Sequence, residues 1–139
     1  MHIEERIDIA APPARVWGVL SDIARWPEWT PTVDTLEVLD PGPFRIGQSA
    51  RLKQPGYQAA VWTVRTLEEG RAFTWDSRSL GMHVLANHLV EATPSASHVT
   101  LSIDVEGPTA WLFGWLVARA SYRFLPQEAA ALKRESEHA

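Results

Sequence analysis

The stretch HVTLSIDVEGPTAWLFGWLVARASYRFLPQEAAALKRESEH, residues 98–138, carries the two patterns that decide the fold. Val99, Leu101, Ile103 and Val105 alternate with Thr100, Ser102 and Asp104, as on a strand with one apolar and one polar face. Gly107-Pro108-Thr109 ends that pattern. From Ala110 to Leu125 the chain is apolar nearly all round, and from Gln127 to His138 it turns Glu-, Ala- and Lys-rich, which reads as a long C-terminal helix. Pro126 divides the two parts. An interior proline removes one helix hydrogen bond and costs about 3 kcal/mol. A kink or break is therefore expected there, with Gln127-Glu128 in the first turn of a second segment.

Working back toward the N-terminus, strand-like segments are separated by turn signals. Met82 to Ala92, Ala72 to Ser79, Ala59 to Leu67, Gln48 to Lys53 and Thr32 to Asp40 are bounded by Leu80-Gly81, Glu68-Glu69-Gly70-Arg71, Gln54-Pro55-Gly56 and Pro41-Gly42-Pro43. Before them, Ala11-Pro12-Pro13 opens a helix whose stripe is Val16, Trp17, Val19, Leu20 and Ile23. A second short helix runs into Trp26-Pro27-Glu28-Trp29-Thr30-Pro31, where the prolines stop it. Ile3, Ile7 and Ile9 alternate with Glu4, Arg6 and Asp8 in a first strand, with Glu5 on the apolar side, which reads as a frayed strand end in preference to a side chain pointing into a cavity. Short connections imply antiparallel neighbours. The expected class is α+β: a curved antiparallel sheet of six to seven strands around a long C-terminal helix, with two short helices after the first strand, in one domain over residues 1–139.

Composition excludes several function classes. The net charge of −4 offers no basic field for nucleic acid. The chain has no cysteine, which removes disulfides, thiolate metal sites and Cys nucleophiles. The five His residues show no metal-binding spacing, so neither a metal nor a cofactor is expected. No Gly-x-Ser-x-Gly elbow, P-loop or dinucleotide fingerprint is present. The apolar run Ala110 to Ala120 is about half the ~20 residues of a membrane span, and the charged start Met1 to Arg6 does not read as a signal peptide. A cytoplasmic location is the expectation. Seven Trp residues are either core anchors or pocket walls.

The order of these segments resembles the START-related, polyketide cyclase/dehydrase-like superfamily of helix-grip proteins. The resemblance covers essentially the whole chain. It rests on Ile7-Asp8-Ile9-Ala10-Ala11-Pro12 leading into Val16-Trp17 and Leu20-Ser21-Asp22, then Trp26-Pro27-Glu28-Trp29, Trp62-Thr63-Val64, Phe73-Thr74-Trp75, His88 with Glu91, and a helix ending Glu128 to Lys133. It implies a helix-grip fold with an internal cavity, and no single activity.

Candidate site residues follow from strand and helix parity. Trp62, Phe73 and Trp75 are expected walls and Ser77 an inward polar contact; the resemblance implies that Trp26 and Trp29 stand at the rim, the other reading being that they pin the short helix to the sheet. His88 shares parity with Met82, Val84, Ala86 and Val90, which makes it either a directional polar group in the pocket or a satisfied core histidine. Tyr122 on the long helix faces the cavity or is plain core, and Arg119 is read as solvated. Trp111, Phe113, Trp115 and Leu116 exceed one helix face; deep wrapping by the sheet is the favoured reading, beside a homodimer or membrane-surface contact.

Three functions are left open. The first is binding or transport of a hydrophobic small molecule such as a lipid, quinone or polyketide-like compound, with no catalysis or only weak catalysis. The second is a cofactor-independent cyclase/dehydrase using His88 as acid/base. The third is a co-chaperone-type interaction module, with a filled core and an exposed patch at Trp111 and Trp115.

Overall fold

Hairpin after hairpin, the alternating segments assemble into one sheet. The structure is a computed structural model and describes residues 1–138. β1 (His2–Ile9) leads into α1 (Pro13–Ser21), a 3-10 turn (Ile23–Arg25) and the short α2 (Trp26–Trp29). β2 (Thr35–Val38), β3 (Ser49–Lys53), β4 (Ala60–Glu68), β5 (Ala72–Ser79), β6 (Met82–Ala92) and β7 (Ser97–Glu106) follow, and α3 (Ala110–Glu137) comes last. The seven strands lie in the order β1-β7-β6-β5-β4-β3-β2, each pair antiparallel. α1 and α2 carry the chain from one edge of the sheet to the other, because β1 pairs with β7 while β2 lies at the far edge. The helix-grip class and both short helices are as expected, although β2 is shorter than the Thr32 to Asp40 segment.

Register sorts the side chains. Phe73 lies opposite His88, His88 opposite Leu101, and Leu101 opposite Glu5, so these share one face of β5, β6, β7 and β1. Glu5 is thus paired within the ladder, not frayed. Leu125, Ala129 and Leu132 of α3 join Ile9, Val99, Leu101 and Phe73 in the main core on this face. Phe73 and Leu101 are each 1% exposed and Leu132 is 0% exposed, and full burial of such a side chain contributes roughly 1.5–3 kcal/mol. A smaller cluster of Met82, Val84 and Val105 packs with Trp62, Phe113 and Val117.

The other face is polar. A bulge between Val64 and Thr66 leaves Arg65 as the extra residue, and its Nε donates to Asp76 Oδ1 at 2.8 Å. His83 Nε2 lies 2.6 Å from Asp76 Oδ2. Burial pushes the Asp76 carboxyl up, but the hydrogen bonds from His83 and Arg65 outweigh it and hold the group below the ordinary range. His83 and His88, five apart on one strand, do point to opposite faces.

The break expected at Pro126 and the deep wrapping expected of the first half of α3 are not found. The helix is one unbroken element of 28 residues through Pro126. Pro126 and Tyr122, whose carbonyl loses its donor, are both exposed, so water can serve that carbonyl. Deep wrapping of the first half also fails. Trp111 is 83% and Trp115 60% exposed, because α3 turns its other side, with Leu116 and Val117, toward the cavity. Among the described residues no helix is long and apolar enough to cross a membrane.

Candidate functional site

Between the curved sheet and α3 lies a cavity of about 350 Å³. Its walls are mostly apolar: Trp62 and Trp75 from β4 and β5, Met82, Val84 and Ala86 from β6, and Leu116, Val117 and Phe124 from α3. Of the residues expected at the site, Trp26, Trp62, Trp75, Ser77 and His88 line it. Trp26 is an interior wall at 3% exposure, not a rim residue. Its indole N–H donates to the Leu20 carbonyl at 3.0 Å, and its ring lies 5.1 Å from Trp75 and 5.9 Å from His88, centroid to centroid. The short helix with proline at its second position thus delivers one Trp inward and sends the next elsewhere.

Three expected residues are not lining residues. Trp29 faces a small separate cleft beside Arg15, Asp22, Arg25 and Glu135. Phe73 lies behind the wall, packed edge-on against Trp17, Phe44 and Trp75. Tyr122 is 70% exposed, because the unbroken helix puts Ser121, Phe124 and Leu125 on the cavity side and Tyr122 on the opposite one.

His88 is held from behind. Its ring stacks on Phe73 at 4.0 Å and 10°, and its Nδ1 lies 3.2 Å from the Phe73 carbonyl. A carbonyl can only accept, so Nδ1 carries the proton and Nε2 keeps a lone pair. Nε2 has no hydrogen-bond partner among the described residues. Burial pushes the imidazole down to about 4, opposed only in part by the Phe73 bond, so the ring is neutral near pH 7. Both readings of His88 are therefore partly met: one nitrogen is satisfied by the fold, and the ring lines the cavity.

Glu128 is the residue that the sequence reading missed. It lines the cavity from α3. The residue as a whole is partly exposed, but its Oε1 is shut off from solvent and has no hydrogen-bond partner. Burial alone pushes the carboxyl up to about 7. The signal was present: Val117, Ser121, Phe124 and Glu128 follow one helical face, but only in a helix continuous through Pro126. Among the described residues no Lys, Arg or Asp lines the cavity. Nor does any group of three or more His, Asp or Glu there form a cluster able to hold a metal ion.

A family model for polyketide cyclase / dehydrase and lipid transport proteins matches residues 1–137. The chain belongs to this family. No curated protein matches it in sequence. Among solved structures it is similar to the Zhui aromatase/cyclase from Streptomyces sp. R1128, at 20% identity and a TM-score of 0.79, with 99% of this chain and 93% of that one covered. It is also similar to the di-domain ARO/CYC BexL from the BE-7585A biosynthetic pathway, at 16% identity and a TM-score of 0.80 over 100% of this chain and 50% of that one. A START superfamily protein from Mycobacterium smegmatis matches at 17% identity and a TM-score of 0.76, over 98% and 97% of the two chains. At these identities the likeness shows the fold. The family's description spans catalysis and carriage, so the choice for this polyketide cyclase / dehydrase and lipid transport family member falls to the cavity itself.

Proposed function

We propose that this chain binds a hydrophobic small molecule in the cavity between the sheet and α3. The observation that carries this is a cavity of about 350 Å³ walled by Trp26, Trp62 and Trp75. Burial of apolar ligand surface supplies the affinity, and Ser77, the free Nε2 of His88 and Glu128 orient the ligand. The open cavity counts against the interaction-module reading, which needs a filled core. Native mass spectrometry of protein purified from its own host tests the proposal. A co-purifying hydrophobic mass is expected. Ligand-free protein that also fails to bind Nile red would overturn it.

One observation favours a second reading, catalysis of the cyclase/dehydrase type. His88 offers an unprotonated Nε2, and the Glu128 carboxyl is held up at about 7, so one cavity contains a base and an acid. In a dehydration, Nε2 would take a carbon-bound proton while Glu128 protonated the departing hydroxyl; the C–H and C–O bonds break, a C=C bond forms and water leaves. His88→Ala should lower turnover of a substrate identified by the mass measurement by about 100-fold or more. Unchanged turnover would eliminate this mechanism and leave the binding proposal standing.

A further inference from the structure

Glu128 lines a mostly apolar cavity, and one oxygen of its carboxyl is left without a partner in the protein. Its Oε1 has neither solvent nor a hydrogen bond, and the cavity wall holds no cation to pair with it. Buried polar groups without partners are rare in folded proteins and destabilise them unless something else completes them. Nothing in the fold explains the residue: apolar neighbours Phe124, Leu125 and Leu132 fill the core around this part of α3. The other titratable side chains on the wall are His88, neutral near pH 7, and the phenol of Tyr57. An anionic head placed inside would meet the carboxyl and no countercharge, whereas a hydroxyl can donate to the carboxyl oxygen.

We propose that Glu128 is the selectivity group of the cavity, receiving the hydroxyl of an uncharged hydroxyl-bearing hydrophobic ligand and excluding carboxylates of the same shape. This rests on the binding function proposed above. It narrows that function from hydrophobic molecules at large to neutral ones, such as phenols and long-chain or polycyclic alcohols, and away from free fatty acids with the head inside. Specificity of this kind comes from the disfavoured partner as much as from the favoured one. Arg123 is the cation nearby that matters for the alternative: it is exposed, its guanidinium lies 5.0 Å from the Phe124 ring centroid, and it does not line the cavity.

Naphthol and naphthoate, matched in ring position, make the test, with displacement of Nile red measured at about pH 8, above the value to which burial raises the carboxyl. The wild-type chain should bind naphthol about tenfold or more tighter than naphthoate. Glu128→Gln, which keeps the shape and removes the charge, should bring the two affinities within about twofold, chiefly by improving naphthoate. Equal affinities in the wild-type chain, or a preference unchanged in Glu128→Gln, would overturn the assignment while leaving the cavity as a binding site. So would naphthoate binding that falls in Arg123→Ala, because the carboxylate would then be paired with that exposed guanidinium and not held beside Glu128. Binding of neither compound, with no displacement of Nile red by any alcohol, would overturn the binding function and this inference together. Circular dichroism of each variant establishes that a change in affinity is not a loss of fold.

Discussion

Burial pushes the His88 imidazole down to about 4 and the Glu128 carboxyl up to about 7, and in both cases the charged form loses its hydration without a full substitute. The consequences for stability have opposite signs. A carboxyl raised from 4.5 to about 7 binds its proton more tightly in the folded than in the unfolded chain. Its contribution is fully present below about 4.5 and is lost as pH rises through about 7, on the order of 3 kcal/mol in all. His88, lowered from 6.5 to about 4, contributes stability above 6.5 that is lost as pH falls toward 4. Comparing wild type with Glu128→Gln cancels the His88 effect. Urea unfolding should find Glu128→Gln gaining about 3 kcal/mol relative to wild type between roughly pH 4.5 and pH 8. A gap that does not change with pH would show that the carboxyl is not buried in solution. At this scale His88 was legible, because strand parity with Met82, Val84 and Ala86 placed it inward. Phe73 shares that inward parity yet lies behind His88, since which of two cross-strand neighbours meets a void depends on packing around both.

The elements were legible where their periods were clean, as in β7, and illegible where a local rule met a tertiary one. Pro126 is the clear case. The rule against interior proline is an average cost, and it is smaller where the orphaned carbonyl faces water and both flanking turns bury Leu125, Ala129 and Leu132. Pro126→Ala restores one backbone donor in a helix that already runs through, while freeing the unfolded chain somewhat. It should stabilise the protein by about 1–2 kcal/mol, seen as a higher urea midpoint with an unchanged slope. A loss of stability would mean that the proline shapes the cavity side of α3. Missing Glu128 followed from the same error, since a break at Pro126 resets the helical phase for every later residue; Tyr122 was misplaced separately, by taking the stripe of Leu112, Trp115 and Arg119 as the cavity side. The first turns of α3 invite a second check. Trp111 and Trp115 are largely exposed, so Trp111→Ser with Trp115→Ser should change the unfolding free energy by less than about 1 kcal/mol, in contrast to the several expected of a core tryptophan.

At the scale of the whole molecule the cavity lies where side chains of the twisted sheet and those of α3 do not meet. A core residue enlarged against close-packed neighbours strains the fold, whereas Ala120 faces open space from α3. Ala120→Phe should therefore abolish Nile red binding and leave the urea midpoint equal or higher; a sharp loss of stability would show that the cavity closes in solution. Strand periodicity, turn residues and the amphipathic end of α3 determined the element order, the antiparallel sheet and the helix-grip class, because these depend on local chemistry read along the chain. Only the tertiary structure decided that α3 runs unbroken, that Trp26 forms a wall while Trp29 and Phe73 do not, and that Glu128, with an unpartnered carboxyl oxygen, lines the cavity. Those outcomes depend on where surfaces from distant segments fail to meet, and a void is a property of the arrangement that no single stretch of residues encodes.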